Sequence, residues 1–306
     1  MALTLAVALL VVAAVWAQRE WRAVRRGQRF RRRFPVGPDG VIIGAQARTY
    51  AGDPQRALLL VHGYNDSPAS LDDMARALHA AGWTVRLPLL PGHGRSLEAW
   101  DDWRGTEAVA LVREEYAALR ARYGTVVVGG LSMGGALATW LAAEADVDGL
   151  LLFAPMLFVP RPMQVAVSTA RMWSLVTRHV SGGGARSLWD PEAQRRSISY
   201  GCSTRRSLEA LEYVAEGVIP RLGFVHVPTL VCQSRQDNRL PEDQSRRTIA
   251  RIGAADKTVH WVDGAGHVLT MDYGWPDLAA TVVTWLDAHW PSGATAERSA
   301  PRRNAD

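Results

Sequence analysis

The stretch Gly130-Leu131-Ser132-Met133-Gly134 sets a serine between two glycines where the chain changes character. Before it, Thr125-Val126-Val127-Val128-Gly129 is short, β-branched and apolar, as a buried strand should be. After it, Gly134-Gly135-Ala136-Leu137-Ala138 has helical composition. A serine on such a strand-to-helix elbow is lifted clear of the sheet, and the flanking glycines let strand and helix pass closely. A serine hydroxyl is a poor nucleophile unless a base accepts its proton, and that base needs an acid to orient it. Of the eight histidines, His267 alone follows the last strand directly, behind the small-residue loop Asp263-Gly264-Ala265-Gly266, which leaves an imidazole room to swing over Ser132. His62 ends a strand and His93 lies in a turn; His79, His179, His226, His260 and His289 lack such a setting. For the acid, Asp237 stands just past the preceding strand in Ser234-Arg-Gln-Asp-Asn-Arg-Leu-Pro241, with Asp243, at a solvated helix start, as its nearest rival. An oxyanion needs two amide donors. The Met133 N–H at the start of the elbow helix can supply one, and the Tyr64 N–H after His62-Gly63 the other.

These side chains need a scaffold that ends several strands at one rim. Val41 to Tyr50 reads as a strand. Ala57 to His62 is continuously apolar and therefore buried on both faces. A helix is expected from Ser67 to about Ala81, a strand at 83–88, a helix from about Asp101 to Tyr123 that leads into the elbow strand, and a further buried strand over Gly149–Phe153. Strands alternating with helices of this length give right-handed parallel crossovers, hence an α/β fold with a doubly wound, mostly parallel sheet. Between about 155 and 223 the alternation stops. Helix-like segments around 162–180 and 203–218 mark an inserted helical cap, whose apolar residues Met156, Leu157, Met163, Met172 and Trp173 pack it onto the sheet or line a pocket. Strands at 229–233 and 258–262 and a helix over 276–290 complete a domain spanning 41–290, and the polar 291–306 reads as a disordered tail.

The formal net charge of +5 is local. Gln18 to Phe34 holds eight arginines against Glu20, a charge of +7, which leaves −2 for everything else. The body of the chain is therefore no nucleic-acid binder by charge. Upstream, Ala2–Ala17 has no charged side chain and only Thr4 as a polar one. As a helix it would rise about 24 Å, slightly short of a hydrocarbon core of about 30 Å. Because the arginines follow the apolar run, the positive-inside rule favours a retained membrane anchor over 1–17, with an Arg-rich linker over 18–40 and the following domain in the cytoplasm, where arginine can meet anionic lipid. Export with cleavage after Val15-Trp16-Ala17 is the alternative. Two cysteines, Cys202 and Cys232, make no disulfide framework. No His/Cys spacing suits zinc and no phosphate-cradling glycine loop is present.

His62-Gly63-Tyr64, Pro91-Gly92-His93-Gly94, Asp101-Asp102-Trp103, Gly130 to Gly134, Asp237 with Pro241, and Gly266-His-Val-Leu-Thr-Met-Asp272 together resemble the carboxylesterase and monoacylglycerol lipase branch of the α/β-hydrolases, over about residues 57–290. The order Ser132, Asp237, His267 is the order of that fold. The resemblance implies hydrolysis of short- to medium-chain acyl esters or monoacylglycerols, small-molecule substrates, by a Ser-His-Asp triad through an acyl-enzyme, with no metal and no cofactor. Thioesterase, acyltransferase and haloperoxidase-like activities share the machinery, and a non-catalytic binding protein of the same fold is the rival from another class. The apolar segment and arginine run depart from soluble members of the branch, so location does not carry over.

Overall fold

The computed structural model describes residues 1–182 and 187–292. Helix α1 (Ala2–Arg33) leads into β1 (Arg48–Tyr50), β2 (Arg56–Val61), α2 (Asp72–Ala80) and β3 (Thr84–Leu87). Then come α3 (Leu97–Asp102), α4 (Gly105–Arg120), β4 (Thr125–Leu131), α5 (Met133–Ala142) and β5 (Gly149–Phe153). The insertion carries α6 (Arg161–Ser168), α7 (Ala170–Val176), β6 (Val180–Ser181), α8 (Pro191–Arg196), β7 (Cys202–Ser203) and α9 (Arg205–Val218). The chain returns through β8 (Thr229–Ser234), α10 (Glu242–Ile249), β9 (Lys257–Val262) and α11 (Trp275–His289).

Seven strands form one sheet in the order β1-β3-β2-β4-β5-β8-β9. Every pair from β3 to β9 is parallel and only the edge strand β1 runs antiparallel. Parallel strands need both faces covered, and the sequence obliges: β2, β4 and β5 are buried at every position. The pleat sends Val126 and Val128 to one face, under α4, α5 and α9, and Val127 to the other, under α2 and α11. Parallel register also brings the ends of β2, β4, β5, β8 and β9 to one rim, the general position for a ligand crevice in such sheets. The doubly wound α/β expectation and the inserted helical cap both describe this architecture.

Several boundaries differ from the sequence reading. The strand expected over 41–50 shrinks to β1, because Ile42 instead bridges Val36 and donates to the Gly94 carbonyl, and Gly44 turns the chain at φ 94°. The helix expected over 101–123 is two helices. Ser96 caps α3 through the Ala99 amide, and the chain then straightens at Trp103, whose ring is buried beside His93, before α4 begins. The cap holds a two-residue β6–β7 pairing and the short helix α8, neither of them foreseen. Of the tail expected at 291–306, all from 293 onward lies outside the described residues.

The apolar segment and the arginine run are one helix, not a segment and a linker. At 1.5 Å per residue α1 is about 48 Å long. It is long and apolar enough to cross a membrane by length and composition, with a most apolar window of mean hydropathy 1.5 that is wholly exposed. Its C-terminal part docks on the domain. Phe30 and Phe34 enter the main core, and Phe30 stacks on Tyr200 at 4.9 Å. Burying each ring stabilises the docking by roughly 2–3 kcal/mol before ordering costs. Arg19 Nε donates to the Ser174 carbonyl at 2.9 Å and Arg178 pairs with Glu20 at 3.3 Å, which ties α1 to α7 of the cap.

Candidate active site

Strand β4 and helix α5 meet at Ser132, which stands at φ 54° and ψ −113°. A non-glycine residue at positive φ is strained and persists only where its surroundings over-determine it. Here the Ser132 amide donates to the Phe153 carbonyl at 2.9 Å, and the Ser132 carbonyl accepts from Ala136 and Met156, each at 3.0 Å. The glycines are required for close approach. A Cβ on Gly134 would lie 2.0 Å from the Val61 carbonyl oxygen, and one on Gly130 2.5 Å from the same atom. Leading α5, the Met133 amide is among the first N–H groups of that helix and has no carbonyl within the helix to bond.

Asp237 follows β8 and His267 follows β9. Their contact is direct: His267 Nδ1 lies 2.8 Å from Asp237 Oδ2. Asp237 is otherwise fully engaged. Its Oδ1 accepts from the Arg239 and Leu240 amides at 2.7 and 2.9 Å, and its Oδ2 from Gln233 Nε2 at 2.9 Å. Burial pushes this carboxyl up, but the facing His267 and the amide donors outweigh it and hold the pKa below the ordinary 3.8. An ionised acceptor at Nδ1 requires the Nδ1–H tautomer, which leaves Nε2 as the basic atom. The rival Asp243 sits in the first turn of α10 and pairs with Arg247.

The His267 loop is itself held. Gly264 takes φ 79°, the Ser234 hydroxyl donates to the Ala265 carbonyl at 2.6 Å, and the Gly266 amide donates to Asp272 at 2.7 Å. Asp272 is buried and also accepts from the Trp189, Asp190 and Tyr273 amides, so one carboxylate ties the histidine loop to the cap.

At the end of β2, His62 is fully buried. Its Nε2 accepts from the Leu90 amide at 3.1 Å and its Nδ1–H donates to the Gly63 carbonyl at 2.9 Å. Burial lowers its pKa to about 4, and the buried His93 is also pushed well down, so both are neutral girders. Tyr64 packs on Trp100 at 4.8 Å and meets the Ser207 hydroxyl at 2.7 Å, which fixes the backbone that presents its amide.

Ser132, His267, Tyr64 and Gly63 line one cavity of about 400 Å³ beneath the cap. No hydrogen bond joins Ser132 to His267 among the described residues, a contact that in a free enzyme is often long and closes on substrate binding. One part of the wall is apolar, with Met156, Pro160, Met163, Ala166, Leu208 and Leu211. Another is polar, with Asn65, Asp66, Ser181, Ser199 and Arg239. Leu157, Met172 and Trp173, offered by the sequence as possible lining, are not part of this wall; Met156 and Met163 are.

Three features escaped the sequence reading. Asp66 flanks Ser132: a Cβ on Gly63 would stand 3.5 Å from Ser132 Cβ and 3.9 Å from Asp66 Oδ2. Burial pushes its carboxyl up to about 7, against the Ser70 and Ser67 donors and the charge of His267. Asn65 is buried at φ 61°, and its Nδ2 has no partner among the described residues. Asp272 was visible only as the last residue of a motif, with nothing local to mark it as the anchor of the loop.

The mostly parallel sheet, the strained serine elbow and the inserted cap define an α/β-hydrolase. Residues 52–273 match the serine aminopeptidase S33 family, and the chain belongs to it. The sequence is 29% identical over 259 residues to the thermostable monoacylglycerol lipase of Bacillus sp. (strain H-257), covering 81% of this chain and 97% of that protein. It is 25% identical over 224 residues to a carboxylesterase of Bacillus subtilis (strain 168), covering 71% and 86%. Among solved structures, the fold is similar to that reported for the metagenome-derived lipolytic enzymes LipS and LipT, at TM-score 0.75, 23% identity and coverage of 83% and 100%. It is also similar to the monoacylglycerol lipase of Paleococcus ferrophilus, at TM-score 0.68, 21% identity and coverage of 79% and 98%. The chain is thus a hydrolase of the carboxylesterase and monoacylglycerol lipase branch.

Proposed function

We propose that the chain is a membrane-tethered serine esterase that cleaves short- to medium-chain acyl esters or monoacylglycerols through an acyl-enzyme. The observation that carries this reading is His267, held by Asp237 behind it, opening onto the same cavity as the strained Ser132. His267 Nε2 takes the Ser132 proton as Oγ attacks the ester carbonyl, and Asp237 keeps the imidazole in the required tautomer and stabilises the imidazolium. The Met133 and Tyr64 amides receive the oxyanion; losing one such donor typically costs about 100- to 1000-fold in rate. His267 then protonates the departing alcohol, activates a water, and the acyl group leaves as the acid. The apolar wall suits an acyl chain and the polar wall a hydroxylated alcohol. The exposed apolar half of α1 supports the tether, and the arginines that follow it favour a cytoplasmic domain.

The test is a fluorophosphonate label with p-nitrophenyl esters and acyl thioesters assayed in parallel. Labelling and ester turnover that both vanish in Ser132→Ala support the reading. Labelling that persists in that variant removes the nucleophile assignment, and faster turnover of thioesters moves the enzyme to another substrate class.

A further inference from the structure

Where a helix docks on a domain, its charged residues ordinarily face water and its apolar residues face the partner. On α1 five of those charged residues, all exposed except the half-buried Arg26, also converge on one groove against the cap. Arg22, Arg25, Arg26, Arg29 and Arg33 follow helical spacing along one stripe and line a cavity of about 650 Å³ between α1 and the cap. The opposite wall is His179, Ser199, Tyr200 and Gly201. None of the five guanidinium groups forms an ion pair with a carboxylate among the described residues. The acids of this region lie outside the cavity wall: Glu20 pairs with Arg19 and Arg178, Glu98 faces Arg31, and Glu98 and Asp101 act on His179. Trp21 and Phe34 close the ends, with Arg25 over the Trp21 ring at 4.8 Å and Arg33 over the Phe34 ring at 5.0 Å. Five like charges gathered around one open groove make a positive potential that attracts an anion into it.

The geometry and position select the anion. Guanidinium forks match phosphate oxygens bidentately, and several forks can share one phosphate group. The hollow begins four residues beyond Ala17, where the uncharged stretch of α1 ends, which is headgroup depth for a helix entering a bilayer. We propose that this cavity binds the phosphate headgroup of an anionic phospholipid. The site adjoins the candidate active site: Ser199 belongs to both cavity walls, and the Gly201 amide donates to Asn65 Oδ1 at 3.1 Å, next to Tyr64. A bound lipid therefore sets the height of the catalytic cavity above the membrane surface. The inference rests on the membrane-helix reading of α1, which flotation of the full chain with neutral phosphatidylcholine vesicles tests separately.

The experiment titrates the full chain, in a neutral maltoside micelle, with monomeric dihexanoyl phosphatidylglycerol, dihexanoyl phosphatidylcholine and inorganic phosphate, read by calorimetry. Saturable one-to-one binding of the phosphatidylglycerol, none of the phosphatidylcholine and much weaker binding of phosphate is the expected result. Arg25→Gln with Arg29→Gln should weaken it at least about tenfold, the scale of losing one or more charge-assisted hydrogen bonds. Arg31→Gln with Arg32→Gln removes the same charge away from the cavity and should leave it unchanged. Equal weakening in both double variants, an isotherm unaffected by Arg25→Gln with Arg29→Gln, or inorganic phosphate binding as tightly as the lipid would each overturn the proposal. Ester turnover measured on the same preparation reports the esterase reading independently, since binding can hold without turnover and turnover without binding.

Discussion

Replacing Asp237 by Asn tests the histidine arrangement with almost no change in shape. The carbonyl of the new amide stays with the Arg239 and Leu240 N–H groups, which donate to Oδ1 at 2.7 and 2.9 Å. Its NH2 then faces His267 Nδ1 and Gln233 Nε2, atoms that now meet Oδ2 at 2.8 and 2.9 Å. Two consequences follow. The imidazole must turn Nδ1 into an acceptor, which moves its proton to Nε2 and leaves no base facing Ser132. The Gln233 amide also meets a donor, and one unsatisfied buried polar group costs about 1–3 kcal/mol of stability. Loss of the correct tautomer in triads of this kind costs about 10³- to 10⁴-fold in kcat, or about 4–5.5 kcal/mol of barrier. The assay is kcat and KM for p-nitrophenyl butyrate, with the folded fraction measured by thermal melting. A fall of less than about tenfold in kcat, or an effect confined to KM, would refute the assignment of Asp237 as the orienting acid.

Three other perturbations probe the supports. Asp66 titrates at about 7 when folded against an ordinary 3.8, so the folded state holds the extra proton, and stability present at low pH is lost as pH rises through 7. Asp66→Asn should therefore raise the melting temperature more at pH 8 than at pH 5, and an equal shift at both would show that this carboxyl does not titrate in that window. Gly134→Ala drives a Cβ to 2.0 Å from the Val61 carbonyl; it should destabilise the fold by about 3 kcal/mol or more and abolish turnover, and a melting temperature within about 2 °C of wild type would contradict the packing. Asp272→Ala leaves the Gly266, Trp189, Asp190 and Tyr273 amides without their acceptor; kcat should fall at least about tenfold with the histidine loop released, and an unchanged kcat in a folded variant would contradict the anchoring role.

Much of this was legible in local pattern. The buried run at Thr125 to Leu131 and the glycines around Ser132 carry their own geometry, because a Cβ at Gly130 or Gly134 would collide with the Val61 carbonyl where the elbow passes β2. The Asp237–His267 contact was reachable from strand order alone, since parallel crossovers bring the loops after β8 and β9 side by side. What composition did not carry was tertiary choice. Trp103 breaks an otherwise helical stretch because its ring is worth more buried beside His93 than exposed on a helix. The arginine run reads as a linker by charge, yet Phe30 and Phe34 continue the helix by docking it into the core. Asp66 and Asn65 look like ordinary turn residues, and only the closure of the cap over them makes them part of the cavity wall.

The proposed chemistry passes through a covalent acyl group on one hydroxyl. Acid quenching of the enzyme during turnover of p-nitrophenyl hexanoate, followed by peptide mapping in a mass spectrometer, should find the hexanoyl mass on the peptide containing Ser132 and lose it in Ser132→Ala. A hexanoyl adduct on another residue, or steady turnover and a full pre-steady-state burst with no adduct on Ser132, would contradict the account.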